Sequence, residues 1–320
     1  MLNNEYYALK EIPRHKLYTN NKIYSHLTEP NILQKLNRYD FLPKLISTFH
    51  DYDNIYLITS YYEGKSLDFF RTDILSEEQI KFVSACTIQT LIYLREEKII
   101  HRDIMMKNII MDKNRYFNVI DFSFSIDYSE KDNKEKYLNT YYNVTPPEMM
   151  NYQEFDYNSD YYRLGSIIYY LIFKTYPYIV QIQNNITNIK VNYKDAKNYS
   201  QNCIDFLNEL IISEPKKRIG FKDINELKNH SWFYGYDWNS LEKKKLPSPF
   251  TLIKNEIDQS LCNKIIISDQ YLIRYKSKPK LILYKLLINQ FDYTNSNILN
   301  QILNVYRNSN NSTKTNLSLR

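Results

Sequence analysis

The sequence comprises 320 residues, of which 43% are hydrophobic, a length and apolar content that exclude an intrinsically disordered chain. Its net charge of +6 is concentrated near the C-terminal end, where residues 261–320 contain nine lysines and arginines against two aspartates. No apolar signal core opens the chain and no stretch reaches the roughly 18 apolar residues of a membrane span, so we expect a cytoplasmic protein with no transmembrane segment.

The first 62 residues predict a small unit that is rich in strands. Segment 6–12, "YYALKEI", predicts a strand, and segment 21–36, "NKIYSHLTEPNILQKL", predicts a helix. Segment 49–62, "FHDYDNIYLITSYY", predicts two strands joined by an Asp/Asn turn, because it is rich in β-branched and aromatic residues. A short sheet with one helix is therefore expected here.

The following segments predict a larger, mainly helical unit that contains one hairpin. Ser76 and Gln79 form a capping-box pattern at the start of a helical stretch over residues 75–98. The stretches "NIIM" and "FNVIDF" predict paired strands on either side of a turn at residues 112–115. From residue 159 onward the apolar residues recur at helical spacing.

Beyond residue 255 the character of the chain changes. Residues 256–290 return to strand-forming sequence, residues 296–308 predict an amphipathic helix, and the low-complexity segment 309–320 is expected to be disordered. The basic surplus of this region suits an anionic surface, so we expect contact with anionic phospholipid, possible peripheral placement at membranes, and no nucleic-acid binding. The alternative is a lysine-rich, solvated tail without a partner.

Five side chains have the types and the spacing that phosphoryl transfer requires, namely Lys10, Glu29, Asp103, Asn108 and Asp121. The reaction needs a carboxylate that accepts the proton of the attacking hydroxyl, oxygen ligands for Mg²⁺, and a lysine, fixed by a carboxylate, that orients the phosphates. Asp103 can be the base, Asn108 and Asp121 the Mg²⁺ ligands, and Lys10 with Glu29 the phosphate-orienting pair. Each residue alone is a weak signal, and the set is a strong one.

These residues and the motifs around them resemble the eukaryotic protein kinases over roughly residues 5–250. The motifs are "YALK" for VAIK, "HRDIMMKN" for the catalytic loop, "DFS" for DFG, "PPE" (146–148) for APE and "SDYYRLG" (159–165) for the helix that anchors the catalytic loop. The resemblance implies an α+β, bilobal protein-kinase fold with a reduced small lobe over residues 1–62 and a large lobe over residues 63–235. It also implies ATP and Mg²⁺ as cofactors.

The resemblance further implies a role for each matching residue. The nucleotide-binding residues would be Lys10, Glu29, Ser60, Tyr61 and Ile110, with Thr59 as the gatekeeper beside the adenine. The catalytic residues would be Asp103 and Lys107, and the metal ligands Asn108 and Asp121. The structural residues would be His101, Arg102, Glu148, Asp160 and Arg218, where Glu148 pairs with Arg218 and Asp160 holds the backbone of the HRD motif.

Within the kinases, residues 230–250 resemble the exit from the catalytic domain of the AGC group, and "NSDYYRLGSIIYYLI" resembles the 3-phosphoinositide-dependent kinases. The resemblance implies an AGC-type tail that starts at residues 236–255. It leaves two interpretations of residues 256–308: a degenerate module like a pleckstrin-homology (PH) domain, or an ordinary AGC tail that wraps back onto the small lobe.

The sequence departs from the kinase pattern at several positions. The strands and the glycine-rich loop that precede VAIK in the family are missing, which we interpret either as a reduced small lobe or as a start codon placed too late. Ser123 replaces the DFG glycine, and because serine lacks glycine's freedom at positive φ, we expect slower switching of the activation segment. Tyr137 lies where the family carries its phosphorylated serine or threonine. The usual Gly-Thr before the substrate-facing turn is missing, and Thr140 is the nearest threonine, so substrate recognition is the least transferable property.

The catalytic loop also departs from the pattern. Met105 stands where most Ser/Thr kinases have the lysine that meets the γ-phosphate, and Lys107 is two residues further on. We interpret Lys107 as a relocated phosphate-binding lysine, with an ordinary surface lysine as the alternative.

Two functions follow from these observations. The first is an active Ser/Thr kinase of AGC type that phosphorylates protein substrates, among them other AGC kinases. The second is a pseudokinase, a folded scaffold with a decayed nucleotide site. The five retained chemical residues favour the first, whereas Ser123 and the missing loop favour the second.

Overall fold

The computed structural model describes residues 6–13, 23–50, 54–129, 145–150, 156–177, 181–182, 185–186, 196, 198–253 and 293–294. The helices are α1 (Ile23–Leu36), α2 (Glu77–Glu96), α3 (Pro147–Met150), α4 (Asn158–Phe173), α5 (Gln201–Leu210), α6 (Asn225–Asn229) and α7 (Trp238–Glu242). The strands are β1 (Tyr7–Pro13), β2 (Leu45–His50), β3 (Asn54–Ser60), β4 (Ile99–Ile100), β5 (Ile109–Met111), β6 (Phe117–Val119), β7 (Ile126–Asp127), β8 (Gln181–Ile182), β9 (Asn185–Ile186) and β10 (Tyr293–Thr294).

The chain divides into two compact units. The first contains residues 1–37, 43–61 and 256–320, and the second contains residues 38–42 and 62–255. The mixture of a small sheet and many helices agrees with the predicted α+β class.

The first unit is built on an antiparallel sheet with the strand order β1-β3-β2-β10. Strand β1 pairs with β3 over its whole length, from Tyr7 opposite Ser60 to Pro13 opposite Asn54. The core of the unit is formed by apolar side chains of α1 and of the sheet, each at most 5% exposed: Ile12, Ile32, Leu33, Leu36, Leu45, Ile55 and Leu57. The strand over residues 6–12 and the helix over residues 21–36 are therefore confirmed, with bounds that differ by one or two residues.

Strand β10 adds two residues of the C-terminal region to this sheet. Tyr293 pairs with Thr48, and Thr294 pairs with Ser47 of β2. The remaining residues of the predicted PH-like segment 256–308, and the predicted disordered end 309–320, lie outside the described residues.

The second unit is organised around α2. Its capping box is present, since the backbone N–H of Gln79 donates to Oγ of Ser76 at 3.2 Å and the N–H of Ser76 donates to Oε1 of Gln79 at 2.9 Å. Nearly every residue from Ile80 to Leu94 is buried, including polar ones such as Thr87 and Gln89. A helix that is buried on all sides lies at the centre of its domain.

Residues 236–253, here called the tail segment, pack on the second unit. Phe250 is 4% exposed, and its ring lies 4.9 Å from that of Phe117 and 5.6 Å from that of Phe70. Nζ of Lys244 donates to Oδ2 of Asp112 at 2.6 Å and to Oδ1 of Asn118 at 3.0 Å. The tail segment is thus fixed to the β5–β6 hairpin by one apolar and one polar anchor.

No helix in the described part of the chain combines the length and the hydropathy that crossing a bilayer requires.

Candidate active site

The HRD loop, residues 101–108, is held in place by the first turn of α4. The carboxylate of Asp160 accepts hydrogen bonds from the backbone N–H groups of His101, at 2.7 Å, and Arg102, at 2.9 Å. Arg102 has a φ of 65°, a conformation that costs a non-glycine residue about 1–3 kcal/mol and persists only where its surroundings impose it. The two hydrogen bonds that Asp160 accepts supply that constraint.

Burial and hydrogen bonding act in opposite directions on Asp160. Burial raises the pKa of its carboxyl to about 6, against the lowering effect of the two backbone donors and of Arg163. The side chain is 2% exposed. Its place at the HRD backbone is the one that the kinase resemblance implies.

Asp103 lies at the centre of the loop and is oriented by Asn108. Nδ2 of Asn108 donates to Oδ2 of Asp103 at 2.8 Å and to its backbone oxygen at 2.9 Å. The backbone N–H of Asp103 donates to Nδ1 of His101 at 3.2 Å. Burial raises the pKa of Asp103, and the charges of Arg163 and Lys107 together with the Asn108 hydrogen bond oppose that effect. The arrangement is a fixed carboxylate with one oxygen engaged by an amide, which suits a proton acceptor.

The two predicted metal ligands flank one end of the β5–β6 hairpin. Asn108 immediately precedes β5, and Asp121 follows β6 by two residues. The backbone N–H of Ile120 donates to the backbone oxygen of Asn108 at 2.8 Å, which joins the two segments. The hairpin therefore brings the side-chain oxygens of an amide and a carboxylate to one end.

An amide oxygen and a carboxylate are ligand types that suit a magnesium ion. Since the amide nitrogen of Asn108 is directed at Asp103, its oxygen Oδ1 is turned to the other side of the amide. Within the described residues, no cluster of three or more His, Cys, Asp and Glu side chains forms a metal site. Mg²⁺ in phosphoryl-transfer sites is commonly held by one or two protein oxygens together with substrate phosphates, so a two-ligand site is sufficient.

In the first unit, the predicted ion pair between Lys10 and Glu29 is formed. Nζ of Lys10, on β1, lies 2.9 Å from Oε2 and 3.2 Å from Oε1 of Glu29, on α1. The side chain of Glu29 is 3% exposed and that of Lys10 is 35% exposed. A buried carboxylate is costly without a counter-charge, so Glu29 fixes the lysine while the lysine compensates the buried acid.

The remaining predicted nucleotide-binding residues lie at the end of β3 and in β5. The N–H of Ser60 donates to the backbone oxygen of Lys44 at 3.0 Å, and Oγ of Ser60 accepts from the N–H of Lys44 at 3.0 Å. Thr59 lies in β3 and Tyr61 directly follows it, whereas Ile110 is half-buried in the middle of β5. Their contact with a nucleotide stays a prediction.

The predicted structural pair Glu148 and Arg218 is buried and fully formed. Nη1 and Nη2 of Arg218 donate to the two carboxylate oxygens of Glu148 at 2.8 and 3.1 Å.

Arg102 donates from Nε to the backbone oxygen of Phe124 at 2.6 Å, and burial lowers its pKa to about 10. Lys107 is exposed in the short 3₁₀ turn Met106–Asn108, and its positive charge lowers the pKa of Asp103 against the effect of burial.

Ser123 does not have the strained backbone that its replacement of the DFG glycine led us to expect. It does not have a positive φ, whereas Asp121, two residues earlier, has a φ of 66°. Oγ of Ser123 donates to Oδ1 of Asp121 at 2.6 Å. In this conformation the serine is not strained by its replacement of glycine, and it contacts the predicted metal ligand directly.

Arg163 lies close to the HRD loop although the sequence motifs do not predict it as a site residue. This residue of α4 has 0% exposure, and within the described chain none of its three guanidinium nitrogens makes a hydrogen bond. Burial lowers the pKa of its guanidinium, and the charges of Asp160, Asp103 and Glu148 oppose that effect. A signal was available, since Arg163 is the one lysine or arginine in the otherwise apolar stretch "YYRLGSIIYYLIF".

Tyr137, at the family's phosphorylated position, and Thr140, the threonine nearest to the missing Gly-Thr, lie outside the described residues. A cavity of about 730 Å³ is lined by residues between Glu209 and His230 and includes none of the predicted catalytic residues or metal ligands.

The model of the protein kinase domain family matches residues 1–233 of this chain. Among curated proteins, the chain is 26% identical over 274 residues to the serine/threonine-protein kinase sgk-1 of Caenorhabditis elegans, covering 82% of this chain and 58% of that protein. It is 28% identical over 282 residues to the probable serine/threonine protein kinase IRE4 of Arabidopsis thaliana, covering 77% and 27%. It is 24% identical over 302 residues to the serine/threonine-protein kinase N2 of Danio rerio, covering 90% and 31%.

The alignments thus span between 27% and 58% of the length of these three relatives. The finer resemblance to the 3-phosphoinositide-dependent kinases is not singled out by these relatives and stays a prediction.

Proposed function

This chain belongs to the protein kinase domain family and is of the eukaryotic AGC type, and from that premise we propose that it transfers the γ-phosphoryl group of Mg-ATP to serine and threonine hydroxyls of proteins. The observation that supports this most directly is the Asp103 carboxylate, which Asn108 orients within a loop that Asp160 holds.

Asp103 would accept the proton of the attacking hydroxyl. Its Oδ2 is engaged by Asn108, so Oδ1 is the oxygen available to a substrate hydroxyl. Removal of a proton by a positioned carboxylate contributes on the order of 10²–10⁴-fold to such reactions. The exposed Lys107 would bring a positive charge toward the transferred phosphoryl group, the role that Met105 cannot perform.

Asn108 and Asp121 would hold Mg²⁺, which the protein kinase family generally uses together with ATP. When bound, the ion neutralises charge on the phosphate oxygens. Lys10, fixed by Glu29, would orient the phosphates, and Ser60, Tyr61 and Ile110 would contact the adenine. These roles rest on the positions of the residues in the family motifs and on the contacts around Asp103 and Lys10.

The substrates would be proteins, and we propose other AGC kinases among them. The basic C-terminal region would contact anionic phospholipid and place a cytoplasmic protein at a membrane surface. This proposal is supported by its nine basic residues, which outnumber its two acidic ones and favour a negatively charged surface. The choice of substrate and the phospholipid contact are properties of the whole protein and not of the kinase domain alone.

Transfer of ³²P from Mg-ATP by the purified full chain to a mixture of serine-, threonine- and tyrosine-containing peptides tests this function. We expect labelling of the serine and threonine peptides by the wild type, and a loss of at least about 10²-fold in Asp103→Asn. The matched control is Asp73→Asn, an exposed carboxylate that should change nothing. Equal labelling by wild type and Asp103→Asn would contradict kinase activity and favour the pseudokinase scaffold.

A further inference from the structure

We propose that the hydroxyl of Ser123 positions the Asp121 carboxylate for metal binding, an inference that rests on the proposed function. Oγ of Ser123 donates to Oδ1 of Asp121 at 2.6 Å, and the backbone nitrogen of Ser123 lies 3.5 Å from the same oxygen. The serine is 5% exposed and Asp121 is half-buried, so the donor side of this hydrogen bond is shielded from water. A short bond to a charged acceptor is among the stronger hydrogen bonds in proteins.

The backbone explains why the contact is made here. Asp121 has a φ of 66°, a region that a non-glycine residue seldom occupies. Aspartate tolerates it better than most residues, because its short side chain can hydrogen-bond to nearby groups. The conformation turns the carboxylate back toward Ser123, whose hydroxyl donates to it.

The replacement of glycine by serine therefore adds a function to this position. A glycine has no side chain and cannot donate this hydrogen bond to the carboxylate. With Ser123, the plane of the carboxylate is fixed before any ion arrives. Groups that hold a ligating carboxylate in this way typically change metal affinity by 10–100-fold.

The experiment compares Ser123→Ala and Ser123→Gly with the wild type in full-length protein. The measurement is the Mg²⁺ concentration that gives half-maximal binding of a fluorescent ATP analogue, which reports on the site without catalysis. We expect both variants to need about ten times more Mg²⁺ than the wild type. Since both lack the hydroxyl and only one gains backbone freedom, equal shifts identify the hydroxyl as the cause.

The matched control is Ser125→Ala. Ser125 is 2% exposed and its Oγ donates to the backbone oxygen of His101 at 3.2 Å, so the variant removes a similarly buried hydroxyl that does not contact a carboxylate. Its Mg²⁺ requirement should equal that of the wild type. Thermal unfolding of every variant checks that each protein is folded at the assay temperature.

Three results would overturn the inference. An unchanged Mg²⁺ requirement in Ser123→Ala would show that the hydroxyl does not position the carboxylate. A lower requirement would show that the hydroxyl competes with the metal for Asp121. If folded wild type bound no nucleotide at any Mg²⁺ concentration, the proposed function would fail together with the inference, an outcome that the wild-type titration alone identifies.

Discussion

Arg218 and Glu148, seventy residues apart in the chain, form an ion pair with two parallel hydrogen bonds and almost no exposure to solvent. Nη1 of Arg218 also donates to the backbone oxygen of Asn158 at 2.6 Å, and Nε donates to that of Ile212 at 3.1 Å. The guanidinium thus connects the start of α4, the turn after α5 and the carboxylate of α3.

Removal of one partner of this pair should destabilise the protein strongly. In Glu148→Gln, Arg218 remains buried without a counter-charge, and we expect a loss of about 3–5 kcal/mol in the free energy of unfolding. Urea unfolding at pH 7 measures this. The control is Lys217→Ala, which removes an exposed pair with Glu214 and should cost less than about 1 kcal/mol. Equal losses of unfolding free energy in the two variants would show that burial does not increase the contribution of an ion pair to stability.

Protonation of His101 should make the protein sensitive to acid. Burial lowers the pKa of His101 to about 4, whereas the unfolded value is about 6.5. Between these values the unfolded state binds the proton and the native state does not, so stability falls as the pH decreases from about 6.5 to 4. The expected loss from this residue is about 3 kcal/mol at the acid end of the window.

The measurement is the free energy of unfolding in urea at several pH values for wild type and His101→Gln. Glutamine retains an acceptor for the N–H of Asp103 and does not titrate. The difference between the two proteins isolates His101, because Asp160 and the other buried acids are common to both. Parallel pH curves would show that His101 is not the responsible group.

Arg163 should influence the pH dependence of catalysis. Burial raises the pKa of Asp103 and the charge of Arg163 lowers it, so Arg163→Met should raise it further. Because a general base acts in its ionised form, the acidic limb of the pH profile of kcat/KM should move to higher pH. Arg163→Lys, which retains the positive charge, should move it less. Identical profiles for all three proteins would exclude an electrostatic effect of Arg163 on Asp103.

Phe250 should contribute to the stability of the second unit. Truncation of a buried phenylalanine typically costs about 3–5 kcal/mol, and Phe250 contacts Phe70 and Phe117. The matched control is Tyr234→Ala, since Tyr234 is 97% exposed and should change stability by no more than about 0.5 kcal/mol. Differential scanning calorimetry of both variants measures this. A Phe250→Ala protein as stable as the control would show that the tail segment is not part of the core.

The features that could be predicted from the sequence have local or regularly spaced signals. The capping box of Ser76 and Gln79 depends on residues three apart, and the β5–β6 hairpin depends on alternating apolar residues around a turn. The pair of Lys10 and Glu29 was predicted from the position of each residue in a family motif, which fixes the spatial neighbours of motif residues. These signals were sufficient for the fold class and for the contact between Lys10 and Glu29.

The features that could not be predicted depend on packing or on single torsion angles. The bond from Ser123 to Asp121 requires the positive φ of Asp121, and nothing in the letters "DFS" specifies it. The contact between Lys244 and Asp112 joins segments 132 residues apart without any motif. Likewise, the packing of Phe250 on Phe70 and Phe117 is apparent only in three dimensions, because the sequence does not show which rings a single aromatic residue contacts.

The two hydrogen bonds that the HRD loop donates to Asp160 also impose an order on biosynthesis. The loop and its anchor are separated by 58 and 59 residues, so a ribosome must add α4 to the nascent chain before the strained conformation at Arg102 can be held. Contacts with such large sequence separation form late, because closing the intervening loop costs entropy. A nascent chain interrupted before residue 160 would therefore contain every residue of the HRD motif and still lack the conformation of the loop.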